Sequence, residues 1–214
     1  MTYLSIVNKI LVRLRETEVT SVAQTSYSRL IGELVNQTKR EVEDAWKWIP
    51  LRTTIQAVTE VGTFRYTLTN AGNRFQFLHA FNDTSNLDLE LTNARVMSGY
   101  FNGESQVSGS PIKFDFNGST DGDPNVDVWP VPDAIENLNF DIVLPQVDLS
   151  VDTDILTVPE YPVILGAYAK AAAERGEDGG FMFAEAESNY QKALADAIAI
   201  DAHNVPSELI WGID

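Results

Sequence analysis

Hydrophobic residues follow a helical period at both ends of the chain and a strand period in the middle. Near the N-terminus the apolar residues recur every three or four positions, and they are Leu4, Val7, Leu11 and Leu14. This spacing predicts an amphipathic helix over about 3–16, with Thr2 as its N-cap. A second helix is predicted from Ser26 to Trp48, because Pro50 cannot continue it.

The second helix is expected to bury one apolar stripe and to expose a polar side. The stripe consists of Leu30, Leu34, Val42 and Trp46, and the polar side of Glu33, Lys39, Arg40, Glu41, Glu43 and Asp44. Trp46 and Trp48 are two residues apart, so they would project about 200° apart and cannot share a face. One of them is therefore expected to pack on the central part of the chain.

Between Leu51 and about Leu144 the chain consists of short β-rich runs separated by turn-forming residues. Strands are predicted in the segments 53–61, 63–69, 74–81, 111–118, 125–132 and 136–145. In the second of these, Phe64, Tyr66 and Leu68 alternate with polar residues, which indicates one buried face. The segment 87–101 is ambiguous, because its first half alternates like a strand and its second half has helical character.

The helical period returns after Val158-Pro159-Glu160-Tyr161. An alanine-rich helix is predicted from Tyr161 to about Glu174, and another from Phe181 to about Ala202, with a glycine break between them. Such a pair is typical of an antiparallel helical hairpin. Pro162 fits the first turn of the first of these helices.

The order of the elements predicts an α+β protein. Two N-terminal and two C-terminal helices are expected to form a four-helix layer that carries an inserted antiparallel β lobe. We assign residues 1–50 and 158–203 to the helical domain, 51–157 to the β lobe and 204–214 to a C-terminal tail.

The composition narrows the class of function. The chain has 214 residues, and its 15 Lys and Arg against 31 Asp and Glu give a formal net charge of -16. Proteins that coat nucleic acid or dock on anionic membranes need a basic surface, so both classes are disfavoured. The chain has no cysteine, which excludes disulfides and thiol chemistry. No apolar run is long enough to span a membrane and no signal peptide is evident, so we expect synthesis in a cytosol.

Catalytic signatures for binding nucleotides, for zinc proteases and for serine hydrolases are absent from the sequence. His79 lies in an apolar run, where we expect a half-buried strand residue. His203 follows a predicted helix end, where a cation is favourable. We therefore predict no enzyme, no cofactor and no metal.

Two patterns leave a binding function open. Asp121, Asp123, Asn125 and Asp127 have the spacing of the first ligands of a calcium loop, but Val126 and Pro132 stand where that loop needs glycine and glutamate. A solvated acidic turn is the favoured interpretation. Aromatic residues at strand spacing suit either a sheet core or a platform for sugars, and they are Tyr66, Phe75, Phe77, Phe114, Phe116 and Trp129.

A more specific pattern covers residues 125–175. A strand ends in Trp129-Pro130-Val131-Pro132-Asp133, and a second strand ends in Pro145. An acidic loop over 148–154 follows, and Val158-Pro159-Glu160-Tyr161 begins the alanine-rich helix. This order resembles the head-to-tail adaptor proteins of short-tailed bacteriophages, also called tail tubular or connector proteins.

The resemblance implies a structural protein of the virion with no catalytic residue. It implies a ring of about twelve copies that joins the portal protein to the tail nozzle protein at the head–tail interface. DNA would pass through the ring during genome ejection without specific binding, and an acidic channel wall would repel it. The protein would be synthesised in the host cytoplasm. We expect the helices 26–48 and 161–175 to close the ring.

The C-terminal tail is the predicted contact with the portal or the nozzle. Its candidate partner-binding residues are Pro206, Leu209, Ile210 and Trp211, because apolar residues at a chain end suit a groove in a partner. The alternative is that Trp211 folds back on its own core. The competing functions are a glycan-acting hydrolase, since many carboxylates are present, and a carbohydrate-binding or adhesion module.

Overall fold

The computed structural model describes residues 1–103, 107–176 and 181–204, with side chains from residue 184 onward in the last range. In these ranges the protein has five α-helices and two four-stranded sheets, so the α+β class is confirmed. The chain divides into a helical unit, Met1–Pro50 with Gln146–Asp214, and a β unit, Leu51–Pro145.

The helices and strands agree closely with the predicted segments. A short 3-10 turn lies at Ile49–Leu51. In chain order the other elements are α1 (Tyr3–Arg13), α2 (Ser26–Ala45), β1 (Arg52–Val58), β2 (Arg65–Thr67), β3 (Gln76–Asn82), β4 (Leu87–Asp88), β5 (Glu90–Leu91), α3 (Ala94–Phe101), β6 (Lys113–Thr120), β7 (Asp123–Trp129), β8 (Asn137–Val143), α4 (Glu160–Glu174) and α5 (Phe181–His203).

Both N-terminal helices begin at side-chain caps. Thr2 is the N-cap of α1, as predicted, and its hydroxyl accepts from the backbone N–H of Ser5 at 3.4 Å. Thr25 caps α2 through a reciprocal capping box with Ser28, which satisfies two backbone donors at the helix start. The α1 helix ends at Arg13, before the predicted residue 16, because Arg15 has a left-handed backbone with φ of 59°.

The buried side of α2 differs from the predicted stripe. The buried apolar positions are Ile31, Val35 and Val42, whereas Leu30 and Leu34 are only partly buried. The stripe is thus turned by one residue, or about 100°. Lys39 and Glu43, which were placed on the wet side, are fully buried instead.

The end of α2 also corrects the assignment of its tryptophans. The helix stops at Ala45, and Trp46 is already extended and partly exposed. Trp48 is the buried one, and its indole N–H donates to the carbonyl of Val42 at 2.6 Å. Placing Trp46 in the buried stripe was therefore wrong, because the chain leaves the helix before it.

The α4 helix is the central element of the helical unit. It contacts α1, α2 and α5, and nine of its fifteen residues are buried. Gly166 permits the closest approach, since a Cβ there would lie 2.6 Å from Cγ2 of Thr38 on α2. The helix begins after Pro159, with Glu160 in its first turn, as the sequence indicated.

The β unit contains two sheets, with strand orders β1-β8-β3-β4 and β2-β7-β6-β5. All pairings are antiparallel except β5 with β6, so the lobe is mixed and not wholly antiparallel. The ambiguous segment 87–101 contains both predicted forms, because β4 and β5 precede α3. As expected, β7 ends at Trp129, where Pro130 removes a backbone donor.

The core of the β unit contains most of its aromatic residues. Phe114 and Phe140 are fully buried and pack edge to face with ring centres 5.4 Å apart. The partly buried aromatics that pack against this core are Tyr66, Phe75, Phe77 and Phe116. The sheet-core interpretation of the aromatic pattern is therefore confirmed for these residues.

Candidate functional site

The histidines do not assemble a catalytic group in the described part of the chain. His79 is exposed, so the expectation of a half-buried residue was wrong, and its Nε2 lies 3.0 Å from Oδ1 of Asp88. The carboxylate of Asp141 lies 3.9 Å from the other ring nitrogen. His203 is the last residue of α5.

The acidic run at 121–127 holds the β unit together. Asp123 accepts two backbone N–H groups from the turn at 70–72, and these bonds lower the pKa of its carboxyl. Asp127 accepts two hydrogen bonds from Arg65, at 2.6 and 2.7 Å. Because these oxygens bind donors within the protein, they do not converge on one point. Over residues 1–103, 107–176 and 181–204, no group of acidic and histidine side chains is arranged to hold a metal ion.

The surface with the most unusual construction is an extended segment, 146–157, which we call the strap. It belongs to the helical unit, although the sequence analysis assigned it to the β lobe. The strap contains no helix and only an isolated bridge, between Ile155 and Thr2. Its course is therefore fixed by side chains of α2 and by hydrogen bonds to the backbone of the N-terminal residues.

Asn36 of α2 binds the backbone in the middle of the strap. Its side-chain amide forms both a donor and an acceptor bond with one residue, as the backbone of a neighbouring β-strand does. Its side-chain amide donates to the carbonyl of Leu149 at 3.0 Å and accepts from the N–H of Leu149 at 2.9 Å. Both bonds are buried, so losing either would leave a backbone group unsatisfied.

A buried ion pair on α2 holds the start of the strap. Nζ of Lys39 lies 3.0 Å from Oε1 of Glu43, and both side chains are fully buried. The ammonium also donates to the carbonyl of Gln146 at 2.6 Å, and the same Glu43 oxygen accepts from the N–H of Gln146 at 3.1 Å. A buried pair needs such additional bonds, because desolvation of two charges costs several kcal/mol.

The end of the strap is bound to the N-terminal part of the chain. The N–H of Tyr3 donates to the carbonyl of Asp154 at 2.8 Å, and the N–H of Val22 donates to the carboxylate of Asp152 at 2.9 Å. The Asp154 carboxylate accepts from the N–H groups of Ser150 and Val151, which lowers its pKa. The strap is thus anchored along its whole length.

The charged side chains of the strap are all acidic, and Arg40 of α2 pairs with one of them, Asp148. The strap contains Asp148, Asp152 and Asp154 and no basic residue. Burial raises the pKa of the Tyr3 hydroxyl to about 12, and the nearby carboxylates, including Glu33, add to the rise. A groove of about 580 Å³ lies between residues 148–152 and the helical side chains that hold them.

Three apolar side chains of the strap point into solvent. The exposed fractions are 84 % for Val147, 56 % for Val151 and 65 % for Ile155. Exposed apolar residues on a preorganised segment lose little conformational entropy when a partner covers them. The strap is therefore the candidate interaction surface of the helical unit.

Sequence reasoning missed this surface. Lys39 and Glu43 are four residues apart on a helix, which is the usual spacing of a solvent-exposed pair. The only available signal was the position of apolar Val147 and Val151 within an acidic loop. The predicted tail residues Pro206, Leu209, Ile210 and Trp211 lie outside the described residues.

These features define a class of protein. They describe an α+β protein whose helical unit carries a firmly anchored candidate surface for protein contacts. None of the described helices is both long and apolar enough to cross a membrane.

Comparison with known proteins names the family. The family model described as SU10 adaptor protein matches residues 1–208, so the chain belongs to this family of phage head-to-tail adaptors. The resemblance seen in the sequence is confirmed, and the protein is a structural component of the virion. No curated protein matches the chain.

Proposed function

We propose that this adaptor forms a ring of about twelve copies between the portal protein and the tail nozzle protein of a phage particle. Family membership over residues 1–208 is the observation that carries the proposal. The anchored strap supports it, because a ring subunit needs rigid surfaces that fit neighbours.

The helical unit is the part that we assign to ring formation, with its four helices acting together as one layer. The earlier expectation that the 161–175 helix closes the ring is revised, because α4 is mostly buried within its own copy. Surfaces outside α4 must make the contact. The strap and the exposed residues of α1 and α2 remain available.

The acidic composition supports passage of DNA without adhesion. Each copy has a net charge of -16, and a channel wall with this sign repels phosphates. Docking on a portal and screening by salt would offset the repulsion between copies. The free protein is accordingly expected to be a monomer that assembles on the portal.

The C-terminal segment is proposed to contact the portal or the nozzle through Pro206, Leu209, Ile210 and Trp211. Removal of residues 204–214 is expected to leave a folded protein that no longer joins portal-bearing heads. Circular dichroism checks the fold, and sedimentation with heads checks binding. Heads that complete their tails with the truncated protein would contradict this assignment.

The ring itself is tested with portal-bearing heads that lack the adaptor. Purified protein is added, the copies bound per head are counted by quantitative mass spectrometry, and the particles are imaged. The expected result is a closed ring below the portal. Complete, infectious particles that contain none of this protein would refute the proposed function.

A further inference from the structure

We propose that the strap of one copy binds the basic end of α1 of a second copy, and this inference rests on the proposed ring. The basic end of α1 is defined by Val12, Arg13 and Arg15. The contact joins two different surfaces of the same chain, so it can repeat around a ring.

The basic end of α1 is unusual in this acidic protein. Residues 1–15 contain three of the 15 basic residues of the chain and none of the 31 acidic ones. Val12 is 55 % exposed, and Arg13 and Arg15 beside it are exposed as well. Neither arginine forms an ion pair with any residue in the described ranges.

The strap offers the complementary surface. Val147 and Val151 supply exposed apolar area, and Asp152 and Asp154 beside Val151 supply negative charge, whereas Asp148 is paired with Arg40 of the same copy. Val12 is followed by Arg13, and Val151 is followed by Asp152, so the two surfaces pair apolar with apolar groups and positive with negative charge. Such complementarity fixes the partner and its orientation more than it adds affinity.

The start of the strap and the basic end of α1 lie at different ends of α2. Arg175 donates to the carbonyl of Leu14 at 3.1 Å and to the hydroxyl of Tyr27 at 2.6 Å, so the end of α1 lies beside the start of α2. Gln146 of the strap binds Glu43, near the end of α2. The helix rises about 24 Å between these two points. From there the strap runs along α2 toward the start of the helix, where Asp152 accepts from the N–H of Val22 and the carbonyl of Val22 accepts from Ser28.

The test replaces exposed residues and counts adaptor copies on portal-bearing heads. Val12→Asp places a carboxylate against the acidic strap, and Val147→Asp places one more on the strap itself. Each variant is expected to reduce the bound copies at least tenfold. Ile135→Asp, at a position of the β unit that is 71 % exposed, serves as the matched control and is expected to bind like the unmodified protein.

A charge exchange identifies the partner surface. Arg13→Glu with Arg15→Glu is expected to block assembly, and so is Val147→Lys with Val151→Lys. A chain that carries all four changes should recover at least part of its assembly, because the new lysines of the strap attract the new glutamates of α1. Failure of the four-residue variant to recover, while its circular dichroism remains native, would overturn the pairing.

The outcomes separate this inference from the proposed function. If the unmodified protein forms no ring on the heads, the proposed function fails. If it forms rings and both aspartate variants do so equally well, only the strap contact is refuted. If only one of the two variants loses assembly, the pairing is also refuted, because the surface that matters then contacts another protein.

Discussion

Replacement of Lys39 by methionine tests whether the buried ion pair of α2 holds the strap. Methionine has a similar length and fills the space, but it removes the ammonium that contacts Glu43 at 3.0 Å and Gln146 at 2.6 Å. A carboxylate that loses its buried cation costs about 3–5 kcal/mol. Because folded proteins are stable by only about 5–15 kcal/mol, this variant should lose a large part of its stability.

The double replacement of Lys39 by methionine and Glu43 by leucine distinguishes the cost of an unpaired buried charge from the loss of the hydrogen bonds that hold the strap. With both charges gone, the desolvation cost disappears as well, so a well-packed apolar pair is close to neutral. What remains is the loss of two hydrogen bonds to Gln146, at about 1 kcal/mol each. The double variant is therefore expected to be more stable than the single one, with a deficit of about 2 kcal/mol.

Urea unfolding measures the free energies, and amide hydrogen exchange at Gln146 and Leu149 reports on the strap. Lys9→Met is the matched control, because Lys9 is exposed and its replacement should change stability by less than about 0.5 kcal/mol. The reasoning is refuted if Lys39→Met is as stable as this control, or if the double variant is less stable than Lys39→Met.

Three further predictions concern packing and pH. Trp48→Ala should lower the free energy of unfolding by about 3–5 kcal/mol, since this side chain is fully buried. Trp46→Ala should lower it clearly less, because Trp46 is partly exposed. Equal losses of the two variants in urea unfolding would contradict this prediction. Gly166→Ala should cost about 1–3 kcal/mol, because its methyl group would overlap Thr38, and an unchanged melting temperature would argue against the close approach. The lowered pKa of Asp154 means that its contribution is complete at neutral pH and is lost as the pH falls below its ordinary value of 3.8. Asp154→Asn should therefore weaken the acid dependence of stability, and an unaltered pH profile would show that the two backbone bonds contribute nothing.

The sequence predicted the elements well because each of them has a strong local signal. The period of α1, the alternation in β6 to β8 and the prolines around α4 are all read within a few residues. The resemblance over 125–175 was sufficient to identify the family, since its motif combines several such signals.

The candidate interaction surface could not be predicted in the same way. The burial of Lys39 and Glu43 depends on the strap, which lies more than a hundred residues later in the chain. Local spacing indicated a solvated pair, and only tertiary structure reverses that reading. The buried stripe of α2 was misplaced by one residue because both candidate stripes contain leucine, isoleucine or valine. Local sequence therefore does not show which of the two stripes faces the core.

The two ends of the polypeptide build one unit, and this affects its synthesis. The α1 and α2 helices leave the ribosome first, but their central neighbour α4 begins more than a hundred residues later. At ordinary elongation rates the first helices wait about 6 to 25 s, while the contiguous β unit has time to fold. A chain that ends before α4 therefore lacks a finished helical unit, so premature fragments are not expected to join a growing particle.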